Sequence, residues 1–88
     1  MQKGDIVTVF SLAGEIVGKY INGKDGEISL EDPRVLMQNE QGLGFAKGVC
    51  VSGQLQTRKI TISNYVFITP TNEEFQKAYV QAVSGLVI

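Results

Sequence analysis

Through its first seventy positions the chain spaces its apolar residues as strands do, and it changes to helical spacing once, after Pro70. That single switch of period is the strongest constraint on the fold. Asp5–Ser11 (DIVTVFS) is rich in β-branched residues, with Val7 and Val9 on one face and Ile6, Thr8 and Phe10 on the other. Leu12-Ala13-Gly14 makes a short connection. Glu15–Ile21 (EIVGKYI) reads as a second strand, in which Gly18 marks a bulge or a sharp bend. Two turn signals follow, Asn22-Gly23 and Asp25-Gly26, with Lys24 between them. One tight hairpin needs one such signal, so the pair predicts a wider loop over 22–26. Glu27–Leu30 reads as a third strand. Pro33 then interrupts it, and Arg34–Gln38 continues past the kink.

Asn39–Gly44 is rich in turn residues, and Phe45–Val51 (FAKGVCV) is strand-like, with Gly48 as a second bend. Ser52–Thr57 reads as a loop. Arg58–Pro70 (RKITISNYVFITP) is too long for one ordinary strand, which predicts a break at Ser63-Asn64. Asparagine there suits a turn with positive φ. The helical pattern predicts a helix over 72–84, because Phe75, Ala78, Tyr79, Ala82 and Val83 fall on one stripe. Thr71 is expected as its N-cap, with Glu74 completing a capping box and Gly85 closing the far end. The expectation is a single, mainly β domain over 1–88: a small, strongly bent five-stranded barrel over 5–70 with one helix packed on it.

With 43% apolar and 19% charged residues, the chain is globular rather than disordered. A formal net charge of −1 excludes a strongly basic duplex-DNA coat, but not a single-strand binder that works by stacking and hydrogen bonding. There is no histidine, which removes His-based triads and zinc sites. The one cysteine, Cys50, sits among apolar neighbours and reads as a buried thiol. The acidic pairs Asp25/Glu27, Glu31/Asp32 and Glu73/Glu74 lack further ligands, and Ser11 and Ser63 lack a base. The expectation is therefore a non-enzymatic protein with no metal and no cofactor. No secretion signal or membrane span is legible, so it is expected to be cytoplasmic.

Tyr65-Val66-Phe67-Ile68 is apolar on both faces. One face fits the interior; the other fits either the helix or a second subunit, and the need to cover strand edges favours the subunit. Of the cations Lys19, Lys24, Lys47, Arg58 and Lys59, Lys24 stands out by its place between two turn signals.

The order of these elements resembles the Sm and Sm-like (LSm) family. Val7 and Val9 match its valine pair, Gly14 its turn glycine, Gly18-Lys19-Tyr20 its G-x-L step, and Asp25 its loop aspartate. Ile62-Ser63-Asn64, the strand after it and Pro70 stand where the second family motif has I-R-G-N, with Ser63-Asn64 replacing Arg-Gly. The C-terminal helix stands in for the family's N-terminal one. The whole most resembles a divergent, marine, phage-borne branch, which would act in the host cell cytoplasm. The resemblance implies an SH3-like barrel assembled into a homo-oligomeric ring of roughly five to seven subunits. Tyr65–Ile68 of one subunit is expected to pair with Arg58–Ile62 of the next. The implied ligand is single-stranded RNA, held by pore loops at Asn22, Lys24, Asp25, Ser63, Asn64 and Tyr65, with Tyr20 as a second stacking ring. The alternative is an assembly module of the same barrel that binds no nucleic acid. The balanced charge favours that second reading.

Overall fold

The computed structural model describes residues 1–12, 14–40, 42–46, 48–49, 53 and 57–84. Cys50, expected as a buried thiol, and Gly85, expected to close the helix, lie outside them. The strand expected at Phe45–Val51 does not form as such: Phe45 ends a strand that begins earlier, Ala46 has left it and Gly48 and Val49 form a bend, while Lys47, Cys50 and Val51 lie outside the described residues. The protein is mainly β, with one helix following the strands. The elements are β1 (Ile6–Ser11), β2 (Gly14–Lys24), β3 (Glu27–Asn39), β4 (Gly42–Phe45), β5 (Lys59–Ser63), β6 (Phe67–Pro70) and α1 (Glu73–Ser84). Six strands stand where a five-stranded barrel was expected, because Arg58–Pro70 breaks at Ser63-Asn64 into β5 and β6. β4 lies earlier than the strand expected at Phe45–Val51, because the turn-rich Asn39–Gly44 stretch holds the hairpin that leads into it.

All ladders are antiparallel, in the order β4-β3-β2-β1-β6, with β5 also on β3. The long β3 takes two partners in succession on the edge away from β2. Its first part, Glu27–Glu31, pairs with β5, and Leu36–Asn39 pairs with β4. Between them the register against β2 jumps from Val17↔Arg34 to Lys19↔Glu31, which leaves one extra residue on β3. Asp32 lies there with φ 51°, immediately before Pro33. The predicted kink at Pro33 is thus a bulge that the strand passes through. A second bulge, with the extra residue on β2, sits at Ile21. Gly18 is not itself bulged. It is buried, and a Cβ there would lie 3.1 Å from the Leu30 Cβ and 3.3 Å from the Glu31 carbonyl oxygen. Glycine is required because β3 passes close over it.

The inner face collects Val7, Val9, Ile16, Ile28 and Leu30 in one buried cluster. Tyr20, Val35, Ile60, Ile62, Tyr65 and Ile68 pack around it half-buried. On the other face α1 packs against β4 and the bulge of β3, and Val17, Pro33, Arg34 and Tyr79 are buried. The Tyr79 hydroxyl donates to the Asp32 carbonyl at 2.6 Å, and its ring meets Phe45 edge-on at 5.9 Å. Asn72, not Thr71, caps the helix: its Oδ1 accepts from the Phe75 N–H at 3.0 Å. Thr71 is buried one residue earlier and shares a 2.8 Å hydrogen bond with the Thr8 hydroxyl. No helix is long and apolar enough to cross a membrane among the described residues.

Candidate nucleic-acid interface

Of the two turn signals, only one forms a turn. Asn22 and Gly23 lie within β2, paired with Ser29 and Ile28, so the expected loop over 22–26 shrinks to Asp25-Gly26. Those two residues have φ 52° and 81°, the geometry of a two-residue turn whose twist matches its flanking strands, and Lys24↔Glu27 closes the hairpin. Asn22-Gly23 loses the competition because a turn there would forfeit the last three β2–β3 pairs. Gly23 lies close under Tyr20: a Cβ there would stand 3.0 Å from the Tyr20 hydroxyl.

The second turn follows β5. Asn64 has φ 57°, as the sequence predicts, and the chain re-enters the sheet at Phe67 rather than Tyr65. The expected strand alternation over Tyr65–Ile68 therefore fails. Tyr65 and Ile68 both pack against the core, while Val66 and Phe67 are exposed.

The register Glu27↔Ser63 sets the two turns side by side. Glu27 directly follows Asp25-Gly26, and Ser63 directly precedes Asn64. Three strands run inward from this end, and their solvent-facing residues form rows: Lys24, Glu27 and Ser63; then Asn22, Ser29 and Thr61; then Lys19, Glu31 and Lys59. With strands roughly 4.8 Å apart, each row spans about 10 Å. The Ser29 and Thr61 hydroxyls share a 3.1 Å hydrogen bond across the middle row. Lys19 Nζ stands 3.6 Å from the Asp32 carboxylate.

Of the predicted residues, Asn22, Lys24 and Ser63 share this face, and Asp25 and Asn64 sit at the two turns bordering it. Tyr65 turns toward the core, as does Tyr20. Lys59 and Lys19, also on the face, were among the candidate cations, whereas Ser29 and Thr61 belong to it and were missed. Their signal was the alternation in EISL and KITIS, which places them opposite Ile28, Leu30, Ile60 and Ile62. The face carries three lysines and two glutamates, with amide and hydroxyl groups between them. Such a surface hydrogen-bonds in both senses and attracts anions weakly. Among the described residues no group of three or more His, Cys, Asp or Glu is placed to hold a metal ion. Compared with protein-family models, with curated proteins and with solved structures, the chain matches none.

Proposed function

We propose that this chain is an Sm-like protein that assembles into a homo-oligomeric ring and binds short single-stranded RNA, without catalysis, at the end where its two turns meet. The observation that carries the reading is the Glu27↔Ser63 pairing, which joins the Asp25-Gly26 and Ser63-Asn64 segments, far apart in sequence, into one polar edge. The small, repeatedly bulged antiparallel sheet followed by one helix supports the reading at the level of a mainly β fold; closure of the sheet into the barrel that the resemblance implies is part of the proposal. Asn22 and Asn64 offer donors and acceptors to base edges, Ser63 adds a hydroxyl, and Lys24 supplies the phosphate contact. Because Tyr20 and Tyr65 pack on the core, hydrogen bonding rather than stacking dominates. Few phosphates are neutralised, so affinity is modest and its salt dependence shallow.

Fluorescence anisotropy with labelled oligo-U and oligo-A tests this. Binding to the assembled protein is expected, weakened by Asn22→Ala and by Asn64→Gly. Glycine is the right replacement at Asn64 because it removes the amide while keeping the positive φ. Lys24→Ala should mainly flatten the salt dependence. An assembled protein that binds neither oligomer at high concentration sinks the RNA reading and leaves the assembly module.

A further inference from the structure

The polar edge uses one end of the sheet and leaves the outer face, the one that carries the helix, without a use. Across that face, from β6 through β1 to β2, one row holds Phe67, Phe10 and Glu15. Phe10 and Phe67 stack with centroids 5.2 Å apart and planes at 11°. They are 38% and 50% exposed. Each ring therefore has one face on its neighbour and one face free. Glu15 is the register partner of Phe10 on the side away from Phe67, with Cβ atoms about 5 Å apart. A glutamate side chain is long enough to bring its carboxylate level with the ring. Glu15 is exposed, and its carboxylate makes no hydrogen bond or ion pair among the described residues.

Beside this corner a groove of about 210 Å³ runs between the sheet and the first turn of α1. Glu15, Val17 and Leu36 line it from the sheet, and Asn72 and Phe75 from the helix. Drug-sized ligands occupy roughly 300–1,000 Å³, so this groove takes a single side chain of a larger partner. Glu73 and Glu74 are exposed in the same helical turn, and no described lysine or arginine lines the groove. Arg34, on β3 opposite Val17, is buried, and its Nη1 donates to the Pro33 carbonyl at 2.8 Å.

We propose that Phe10, Phe67 and Glu15 receive an arginine side chain of a protein or peptide partner. The guanidinium lies on the free face of Phe10 and donates to the Glu15 carboxylate, while its methylene stem runs over Leu36 and Val17. The inference goes beyond the RNA reading and does not rest on it. Charge selects the occupant: a carboxylate without a partner, backed by two more in the nearby helical turn, favours a cation and repels phosphates. The same repulsion turns nucleic-acid bases away from the rings. The partial positive charge of the helix N-terminus is offset by Glu73 and Glu74 in its first turn. An aromatic face adds a cation–π attraction to the ion pair. Arginine fits better than lysine, because only a planar guanidinium lies flat on a ring and presents two N–H groups to one carboxylate at the same time.

Nuclear magnetic resonance of the isotope-labelled full chain, titrated with the peptide acetyl-Gly-Arg-Gly-amide, tests this, with circular dichroism confirming the fold of each variant. Shifts are expected at Phe10, Glu15 and Phe67 and along the groove at Leu36 and Phe75. Glu15→Gln and Phe10→Leu should each weaken binding roughly threefold to fivefold, as loss of an exposed ion pair or cation–π contact does. Phe67→Leu carries the ring test if Phe10→Leu does not fold. The lysine peptide should bind more weakly than the arginine peptide, and the citrulline peptide, which keeps the shape and loses the charge, more weakly still. Glu40→Gln, at the tip of the β3–β4 hairpin, should bind like the parent chain. A loss there equal to that of Glu15→Gln overturns the site in favour of bulk acidity. A citrulline peptide that binds as well as the arginine one overturns the cation. No shift at Phe10, Glu15 and Phe67 at high peptide concentration overturns the proposal outright. Should oligo-U shift those three residues instead, the rings belong to nucleic acid; should Phe67→Leu disperse an assembled chain that ignores the peptide, they belong to a second copy.

Discussion

The Tyr79 hydroxyl donates to the Asp32 carbonyl at 2.6 Å and to that of Glu31 at 3.3 Å, while its ring is fully buried. The bulge at Asp32-Pro33 takes the Asp32 carbonyl out of the β2–β3 register, and the tyrosine satisfies it. Tyr79→Phe should therefore cost about 1–2 kcal/mol, the net worth of the bond plus a buried carbonyl left short of a donor. Burial, reinforced by the neighbouring Asp32 carboxylate, pushes the phenol well above its ordinary value of 10.0. The folded protein thus holds this proton more tightly than the unfolded chain does. The associated stability is complete below pH ~10 and is lost progressively as pH rises beyond it. Urea unfolding at pH 8 and above pH 10 should show a steeper loss for the parent chain than for Tyr79→Phe. Equal slopes would mean the phenol ionises freely in the fold. The apolar stripe marked Tyr79 in the sequence as a residue facing the sheet. Its hydroxyl's partner was not legible, because nothing in EDPRV announces that the Asp32 carbonyl leaves the register.

At the scale of elements, the helix was read within one residue of its observed span, since a periodic stripe between a capping segment and a glycine has few alternatives. The cap was misassigned for a tertiary reason. Thr71 and Asn72 are both good N-caps, and the Thr8 hydroxyl on β1 engages Thr71, leaving Asn72 to cap. Asn72→Ala should lower stability by about 1 kcal/mol by thermal unfolding, with helix content reduced at the first turn. An unchanged melting temperature would place the cap elsewhere. The stripe also overstated the buried face. Tyr79 is fully buried and Phe75 half-buried, but Ala78 and Ala82 are exposed. Truncating Phe75 to alanine should therefore cost clearly less than the ~3–5 kcal/mol expected for a fully buried aromatic. The hairpin shows the same limit. Asn22-Gly23 and Asp25-Gly26 are locally equivalent turn signals, and only the pairing of Asn22, Gly23 and Lys24 with β3 decides between them.

For the whole molecule, the mainly β sheet and its final helix were legible because period and turn residues are local. The convergence of the two turns was not, because it depends on β5 returning to β3 across more than thirty residues. The edges left unpaired among the described residues are a property of the assembled sheet alone, and they permit a test that alters no side chain. The Thr71 N–H donates to the Ile6 carbonyl at 3.1 Å, which marks Thr71 and Ile6 as a hydrogen-bonded pair. Hydrogen-bonded and non-bonded pairs alternate along an antiparallel ladder. Thr69↔Thr8 is then bonded, Ile68↔Val9 is not, and the N–H and C=O of Ile68 point out to the free edge. A proline at Val66 would be a poor probe, because the Val66 N–H already donates to the Phe10 carbonyl at 2.8 Å within the chain. N-methylation at Ile68, introduced by chemical synthesis of the chain, keeps the isoleucine in the core and removes only the outward donor. It should leave the dichroism spectrum unchanged and shift light scattering to monomer, since the methyl group both deletes a ladder bond and blocks the approach of a second strand. A methylated chain that still assembles would show that β6 is not the edge through which copies of this protein join.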